Sequence, residues 1–136
     1  DVRSIRQMHD FIARSVVDYI DLLLEKRRLQ DNKPIRLAKQ YVASHYMEPI
    51  KLDDVAGLVH LNPVYFSSMF KKETGMNFSD FLINYRLEAA KELLRTSDLS
   101  MVEIAKSIGY MNTKYFSKLF SKVIGIKPSE YRKLYS

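Results

Sequence analysis

Residues 55–81 have the sequence VAGLVHLNPVYFSSMFKKETGMNFSDF, and residues 104–131 repeat its pattern as IAKSIGYMNTKYFSKLFSKVIGIKPSEY. The motif YFS-x-x-F begins at Tyr65 and again at Tyr115, so the two copies are offset by 50 residues. Upstream of the motif the offset is 49, because the second copy has one more residue in its connecting turn. Arrays of stacked repeats usually need three or more copies, so we expect two similar supersecondary units and not a solenoid.

Local signals divide each copy into a short helix, a tight turn and a second helix. In the second copy, Ser100 and Glu103 form a capping box, and Gly109 can adopt the positive φ that a sharp turn needs. Asn112 caps the following helix, as Asn62 does in the first copy. Both copies are therefore predicted to be helix-turn-helix units. The remaining signals are Asp53 and Asp54 at a helix N-terminus, Pro63 at a first helical position, and Gly75 and Gly125 as C-caps. The two units span about residues 52–75 and 100–125.

The whole chain is predicted to be all-α. Its 136 residues include only four glycines and four prolines, and the apolar residues between them follow helical spacing. Between the two copies, an Asn77 cap precedes an amphipathic helix over about residues 78–95. At about 1.5 Å per residue this helix is about 27 Å long and is expected to act as a rigid spacer.

Residues 1–33 are predicted to form a separate amphipathic helix, followed by a stop and linker at residues 31–34. Two interpretations of this helix stay open. A seven-residue apolar repeat, interrupted at Ser15 and Lys26, is typical of a dimerising coiled coil. A second apolar row at Val16, Ile20 and Leu23 indicates instead that the helix packs on the body as core. The repeat consists of Ile5, Met8, Ile12, Tyr19, Leu22 and Leu29.

The net charge of +6 indicates a polyanionic partner. Residues 1–33 contribute seven basic and six acidic residues, whereas residues 34–136 contribute fifteen basic and ten acidic residues. The excess positive charge therefore belongs to the part of the chain that contains the two repeated units. The chain has no cysteine, which fits a reducing cytosol, and no apolar stretch that a membrane span would favour.

The second helix of each copy has one apolar and one polar face. In the second copy the apolar face has Phe116, Leu119, Phe120 and Val123, and the opposite face has lysine and serine. Such a polar face fits the major groove of DNA, where lysine and serine can bond base edges and Val64 or Thr113 can contact thymine methyl groups. Lysines farther along each helix are then expected to reach phosphates. The predicted phosphate contacts are Lys71, Lys72, Lys106, Lys122 and Lys127.

Residues 104–133, IAKSIGYMNTKYFSKLFSKVIGIKPSEYRK, resemble the signature of the bacterial AraC/XylS transcription-regulator family. Residues 34–136 resemble its complete C-terminal DNA-binding domain, with residues 1–33 as an N-terminal linker. The resemblance implies seven helices, two homeodomain-like helix-turn-helix subdomains on a long central helix, and recognition helices near residues 63–74 and 113–124. By position it passes the base-reading role to Val64, Ser67, Ser68, Thr113, Lys114, Ser117 and Lys118.

Two positions depart from the family pattern. His60 stands where members often have glycine, so we expect the first turn to be strained or differently shaped. The first recognition helix also lacks the long Arg or Gln side chains that bond a base in bidentate fashion.

The predicted function is sequence-specific binding of double-stranded DNA by two recognition helices in adjacent major grooves, which regulates transcription in the cytoplasm. The alternative is a helical protein-interaction or signal-relay module that acts on a partner such as RNA polymerase, with residues 1–33 forming a homodimer. No catalytic constellation, metal site or cofactor is expected, because His9, His45 and His60 are scattered and no Gly-rich phosphate loop occurs. No membrane contact is expected either.

Overall fold

The computed structural model describes residues 2–31 and 33–136, and it describes the side chains of residues 2–24 and 33–136. Contacts divide the chain into two compact parts, with the boundary after Pro34. The repeat positions Lys26 and Leu29 and the linker residue Asn32 lie outside the described side chains or residues. The described residues contain helices and turns and no strand, which confirms the predicted all-α class.

The N-terminal part consists of the helix α1, Val2–Asp31. All the side chains described in this helix, those of residues 2–24, are exposed to solvent. Both predicted apolar rows are among them, including Ile12 and Val16. The helix is therefore long and amphipathic, with an uncovered apolar face.

The C-terminal part contains the two repeated segments and the helix that joins them. Its helices are α2 (Lys33–His45), α3 (Leu52–Leu58), α4 (Pro63–Thr74), α5 (Phe78–Thr96), α6 (Met101–Ser107), α7 (Thr113–Ile124) and α8 (Pro128–Tyr135). The helix pairs α3–α4 and α6–α7 are the two helix-turn-helix units, and α5 is the linking helix. At about 1.5 Å per residue, its 19 residues span about 28 Å.

Each helix-turn-helix unit has its own hydrophobic core. The first core consists of the buried residues Ile35, Ala38, Val42, Val55, Ala56, Phe66, Phe70, Phe78 and Leu82. The second consists of Leu87, Ala90, Leu94, Ile104, Ala105, Ile108, Tyr110, Phe116 and Phe120. The N-terminal half of α5 therefore belongs to the first core and its C-terminal half to the second.

The same aromatic contacts recur in the two cores. Phe70 packs edge-on against Phe81, with ring centroids 5.2 Å apart, and Phe120 packs edge-on against Tyr131 at 5.7 Å. These pairs lie at the 50-residue offset of the sequence repeat. Burying each phenylalanine ring removes enough apolar surface from water to stabilise the fold by about 2 kcal/mol. The duplication is therefore present in the packing of the cores as well as in the sequence.

Candidate nucleic-acid interface

The turns of the two helix-turn-helix units close with the same backbone hydrogen bond, although the second turn has one more residue before its Asn cap. The amide of Leu61 donates to the carbonyl of Ala56 (2.9 Å), and the amide of Tyr110 donates to the carbonyl of Ala105 (2.8 Å). Gly109 has a left-handed φ of 104°, and His60, the matching residue, has a φ of 60°. The expected strain in the first turn is confirmed, because His60 adopts the left-handed conformation itself, at a cost of about 1–2 kcal/mol for a side chain in that region.

Side-chain caps fix where the recognition helices α4 and α7 begin. The Asn62 side chain accepts a hydrogen bond from the amide of Val64 (2.9 Å), and the Asn112 side chain accepts one from the amide of Tyr115 (3.0 Å). Pro63 occupies the first turn of α4. Each helix ends at a left-handed glycine, Gly75 or Gly125. The predicted caps are confirmed, and α4 and α7 are both 12 residues long.

Helix α4 exposes a short, weakly polar face. Phe66 and Phe70 are buried, whereas Val64 is 76% exposed and Ser68 is also exposed. Ser67 is half-buried beside them. The exposed lysines Lys71 and Lys72 follow in the last turn of the helix. This face can contact apolar and small polar groups, with positive charge only at its C-terminal end.

Helix α7 exposes a basic face. Lys114, Lys118 and Lys122 are exposed at four-residue spacing, and the helix contains no acidic residue. Thr113 and Ser117 are half-buried along the same face. Like charges at this spacing destabilise a free helix by about 0.2–0.5 kcal/mol per pair. Their repulsion is relieved when the lysines bind a polyanion.

The ion pairs within the described part of the chain leave this lysine row uncompensated. They join Lys91 to Glu88 and Arg95 to Glu92, both along α5. Helices α4 and α7 contribute no side chain to either pair. Their lysines are therefore available to an external anion.

A cleft beside α7 brings together several of the predicted contact residues. It has a volume of about 400 Å³, and Lys118 and Ser117 of α7 meet Lys127 at the beginning of α8 there. Ser121 also lines the cleft, although its hydroxyl donates to the carbonyl of Ser117 (2.9 Å). Two lysines in one cleft create a positive site next to the proposed base-contacting residues.

Two other predicted phosphate ligands lie elsewhere. Lys122 lines a separate cavity of about 350 Å³ that also contains Asp80 of α5. Lys106 is exposed on α6 and does not line the Lys118 cleft. Of the five predicted phosphate lysines, the Lys118 cleft therefore contains Lys127 alone.

Sequence reasoning missed the exposed tyrosines Tyr65 and Tyr115. They are 58% and 52% exposed and occupy matching positions in α4 and α7. Tyr115 also contacts the ring of Tyr110, with centroids 5.7 Å apart. The repeat itself was a signal, because both copies keep a tyrosine next to a phenylalanine that is buried, Phe66 or Phe116.

Other kinds of site find no support in the described ranges. No three His, Cys, Asp or Glu residues of residues 2–31 and 33–136 come together in a way that suits a metal ion. Over the same ranges, no helix combines the length and the apolar character that a membrane span needs. His45 stacks on Tyr41, with ring centroids 4.2 Å apart, and so acts in packing.

The geometry defines a class of protein: two helix-turn-helix units on a shared linking helix, each with a capped and exposed second helix. A family model described as a helix-turn-helix domain matches residues 55–134. The chain belongs to this family in its AraC/XylS form, as the signature at residues 104–133 indicated.

Relatives with known names are regulatory proteins. The chain is 38% identical over 98 residues to the regulatory protein PocR of Salmonella typhimurium, a match that covers 72% of this chain and 32% of PocR. It is 38% identical to the C-terminal domain of AraT, a response regulator from Geobacillus stearothermophilus, with a TM-score of 0.72 over 74% of this chain and 84% of that domain. The DNA-binding domain of the global transcriptional factor AdpA, solved with a target DNA, is 26% identical, with a TM-score of 0.71 over 75% of this chain and 92% of that one. The chain thus spans about a third of the length of PocR.

Proposed function

We propose that this chain binds double-stranded DNA of a defined sequence through α4 and α7, inserted in neighbouring major grooves on one side of the duplex, and so regulates transcription. The observation that carries the proposal is the pair of matched helices, each capped at both ends and each exposing a polar face over a separate aromatic core. The likeness to the AdpA domain, which was solved on DNA, supports it. The proposal gives the chain no catalytic role and implies a cytoplasmic location.

The two helices contribute different chemistry to this function. In α7, lysine and serine donate hydrogen bonds to acceptors on base edges, and guanine offers two such acceptors in the major groove. In α4, Val64 contacts thymine methyl groups, and the two serines form short hydrogen bonds. The proposed base contacts are Val64, Ser67, Ser68, Thr113, Lys114, Ser117 and Lys118. The proposed phosphate contacts are Lys71, Lys72, Lys106, Lys122 and Lys127.

The test begins with selection of bound sites from random duplex DNA. Affinity for a selected site and for a scrambled site is then measured by fluorescence anisotropy over a range of salt concentrations. If about six phosphates are neutralised, the plot of log affinity against log salt has a slope of about −5. Equal affinity for both duplexes with a slope near zero would leave only the alternative, a protein-interaction module that acts on a partner such as RNA polymerase.

A matched pair of lysines sharpens this test. Lys71→Ala removes an exposed lysine of α4 and is expected to reduce the magnitude of the salt slope by about 1. Lys91→Ala removes a lysine that is already paired with Glu88 at 3.0 Å and is expected to leave the slope unchanged. If both substitutions changed the salt slope equally, Lys71 of α4 would not be a phosphate contact.

We also propose that α1 pairs with α1 of a second copy, because its seven-residue apolar repeat is exposed along the described helix. Ile12→Glu introduces a charge into this repeat and is expected to convert a dimer to a monomer in sedimentation velocity. Gln7→Glu introduces the same charge on the opposite side of the helix and is expected to leave the dimer intact. Identical masses for the wild type and both variants would exclude dimerisation through α1.

A further inference from the structure

Arg86 is a buried arginine near the middle of the linking helix α5, only 9% exposed. It lies between Leu82, the last α5 residue in the first core, and Leu87, the first in the second core. Its guanidinium group therefore stands at the boundary of the two helix-turn-helix units.

On one side, this guanidinium holds the segment that leads into the first unit. Its Nε donates a hydrogen bond to the main-chain carbonyl of Tyr46 (2.7 Å), and an Nη donates to the main-chain carbonyl of Glu48 (2.8 Å). Both carbonyls belong to the connection between α2 and α3. The planar guanidinium presents its donors in a fixed fork, so the two bonds restrain orientation as well as distance.

On the other side, the same group packs against the turn of the second unit. Its Cζ lies 5.0 Å from the centroid of the Tyr110 ring, which is within range of a cation–π attraction. A Cβ atom on Gly109 would lie 3.1 Å from the Cζ of Arg86 and 3.1 Å from the carbonyl oxygen of Met47. The missing side chain of Gly109 is what lets the first unit's connection, the guanidinium and the second unit's turn meet.

We propose that Arg86 is a positioning residue that fixes the orientation of the two helix-turn-helix units relative to each other. If the chain binds DNA as proposed above, this restraint also limits it to one spacing between the two halves of its DNA site. Helix α5 sets the separation of the units along its axis. Arg86 resists rotation of one unit against the other, because it bonds to one and packs on the other.

Arg132 provides a matched control. Its Nε donates to the carbonyl of Leu94 (3.2 Å) and an Nη donates to the carbonyl of Ser97 (3.2 Å), so it makes the same pair of bonds as Arg86. These partners lie at the end of α5, and Arg132 belongs to α8, so both sides of the contact adjoin the second core, in which Leu94 is buried and against which Tyr131 packs. Loss of Arg132 removes two similar bonds without loosening the link between units.

The first measurement needs no DNA. Because the chain has no cysteine, Lys72→Cys and Lys122→Cys place spin labels at matching exposed positions of α4 and α7. Pulsed electron paramagnetic resonance then gives the distribution of distances between the labels. We expect Arg86→Met to make this distribution at least twice as wide, and Arg132→Met to leave it as in the otherwise unchanged protein. Where Arg86→Met does not fold, Arg86→Lys, which keeps the charge without the fork, is expected to widen it as well.

The second measurement uses the selected DNA site and versions with one or two base pairs inserted between its halves. One inserted base pair rotates the half-sites by about a tenth of a helical turn. We expect this to weaken binding by the wild type at least about tenfold, by Arg132→Met equally, and by Arg86→Met less than about threefold. An unchanged distance distribution in both Arg86 variants, or an unchanged insertion penalty, would overturn the inference. Absence of DNA binding by the wild type would instead contradict the proposed function, and the distances would still test Arg86.

Discussion

The first and second helix-turn-helix units repeat one arrangement of helices but differ at the left-handed residue of each turn. Both turns close with the same hydrogen bond, from Leu61 to Ala56 and from Tyr110 to Ala105. The left-handed residue is an exposed histidine in the first turn and a glycine in the second. A left-handed residue at this position can therefore carry a side chain where φ is near 60°, whereas the φ of 104° at Gly109 lies outside the region that side chains adopt readily.

What separates the two turns is their surroundings. Gly109 faces Arg86 and the carbonyl of Met47 so closely that a Cβ atom would lie 3.1 Å from each, and these neighbours would have to shift by a few tenths of an ångström. His60 lies on the surface, where its side chain points into solvent. The second glycine is therefore favoured both by its backbone conformation and by a contact between the two helix-turn-helix units, whereas the left-handed residue of the first turn is exposed.

The largest expected effect tests this difference directly. Gly109→Ala places a methyl group 3.1 Å from Arg86 in a left-handed backbone, so we expect it to lower the free energy of unfolding by about 3 kcal/mol. His60→Gly relieves backbone strain but raises the conformational entropy of the unfolded chain. The free energy of unfolding is therefore expected to change by no more than about 1 kcal/mol. Urea denaturation of both variants measures the two changes. Similar values for the two would show that the contact with Arg86 contributes little.

The next effect concerns the faces that the two units expose. Lys118 of α7 and Ser68 of α4 occupy matching positions, and both are exposed. Lys118→Ala is expected to lose about 1–3 kcal/mol of discrimination at particular base pairs of the selected site, whereas Ser68→Ala is expected to lose less than about 1 kcal/mol. Affinities for the site and for its single-base-pair variants give these values. Uniform weakening of every sequence by Lys118→Ala would make Lys118 a phosphate ligand, in keeping with its place beside Lys127.

The sequence predicted those features that depend on neighbours along the chain. The asparagine caps, the Ser100–Glu103 capping box and the terminal glycines bond within four residues of themselves, so short patterns reveal them. The amphipathic pattern of α4 and α7 likewise showed that the phenylalanines are buried and the lysines exposed, although Val123, predicted on the apolar face, is 45% exposed. The fold class followed from these local signals and from the repeat.

Features that depend on distant contacts were not predictable in this way. Arg86 bonds to carbonyls 38 and 40 residues away, and its position in α5 gives no sign of burial, since helix interiors often carry arginine. The base-reading and phosphate roles also stay predictions, since they depend on a DNA duplex as well as on this chain.

The smallest expected effect concerns the hydroxyl group of Tyr110 in the second turn. The hydroxyl of Tyr110 is buried and has no hydrogen-bond partner among the described residues. In the first unit the matching residue is Leu61, which has no polar atom to satisfy. Removing an unsatisfied buried hydroxyl recovers its desolvation cost, so Tyr110→Phe is expected to raise the free energy of unfolding by about 1 kcal/mol while keeping the ring against Arg86.

The pH dependence distinguishes this explanation from a general improvement in packing. Burial raises the pKa of Tyr110 above the ordinary value of 10.0. The neighbouring Arg86 guanidinium opposes that shift only in part, as a nearby donor and as a positive charge. Its Nε and one Nη donate to the carbonyls of Tyr46 and Glu48, and no described residue makes a bond to the Tyr110 hydroxyl that meets hydrogen-bond geometry. The unfolded chain therefore ionises first, so this tyrosine's contribution to stability is complete below about pH 10 and is lost as the pH rises toward its folded-state pKa. Denaturation between pH 8 and about pH 11 should show a smaller fall in stability for Tyr110→Phe than for the wild type. Parallel curves would mean that the hydroxyl is hydrated in the folded protein, and the gain from its removal should then vanish as well.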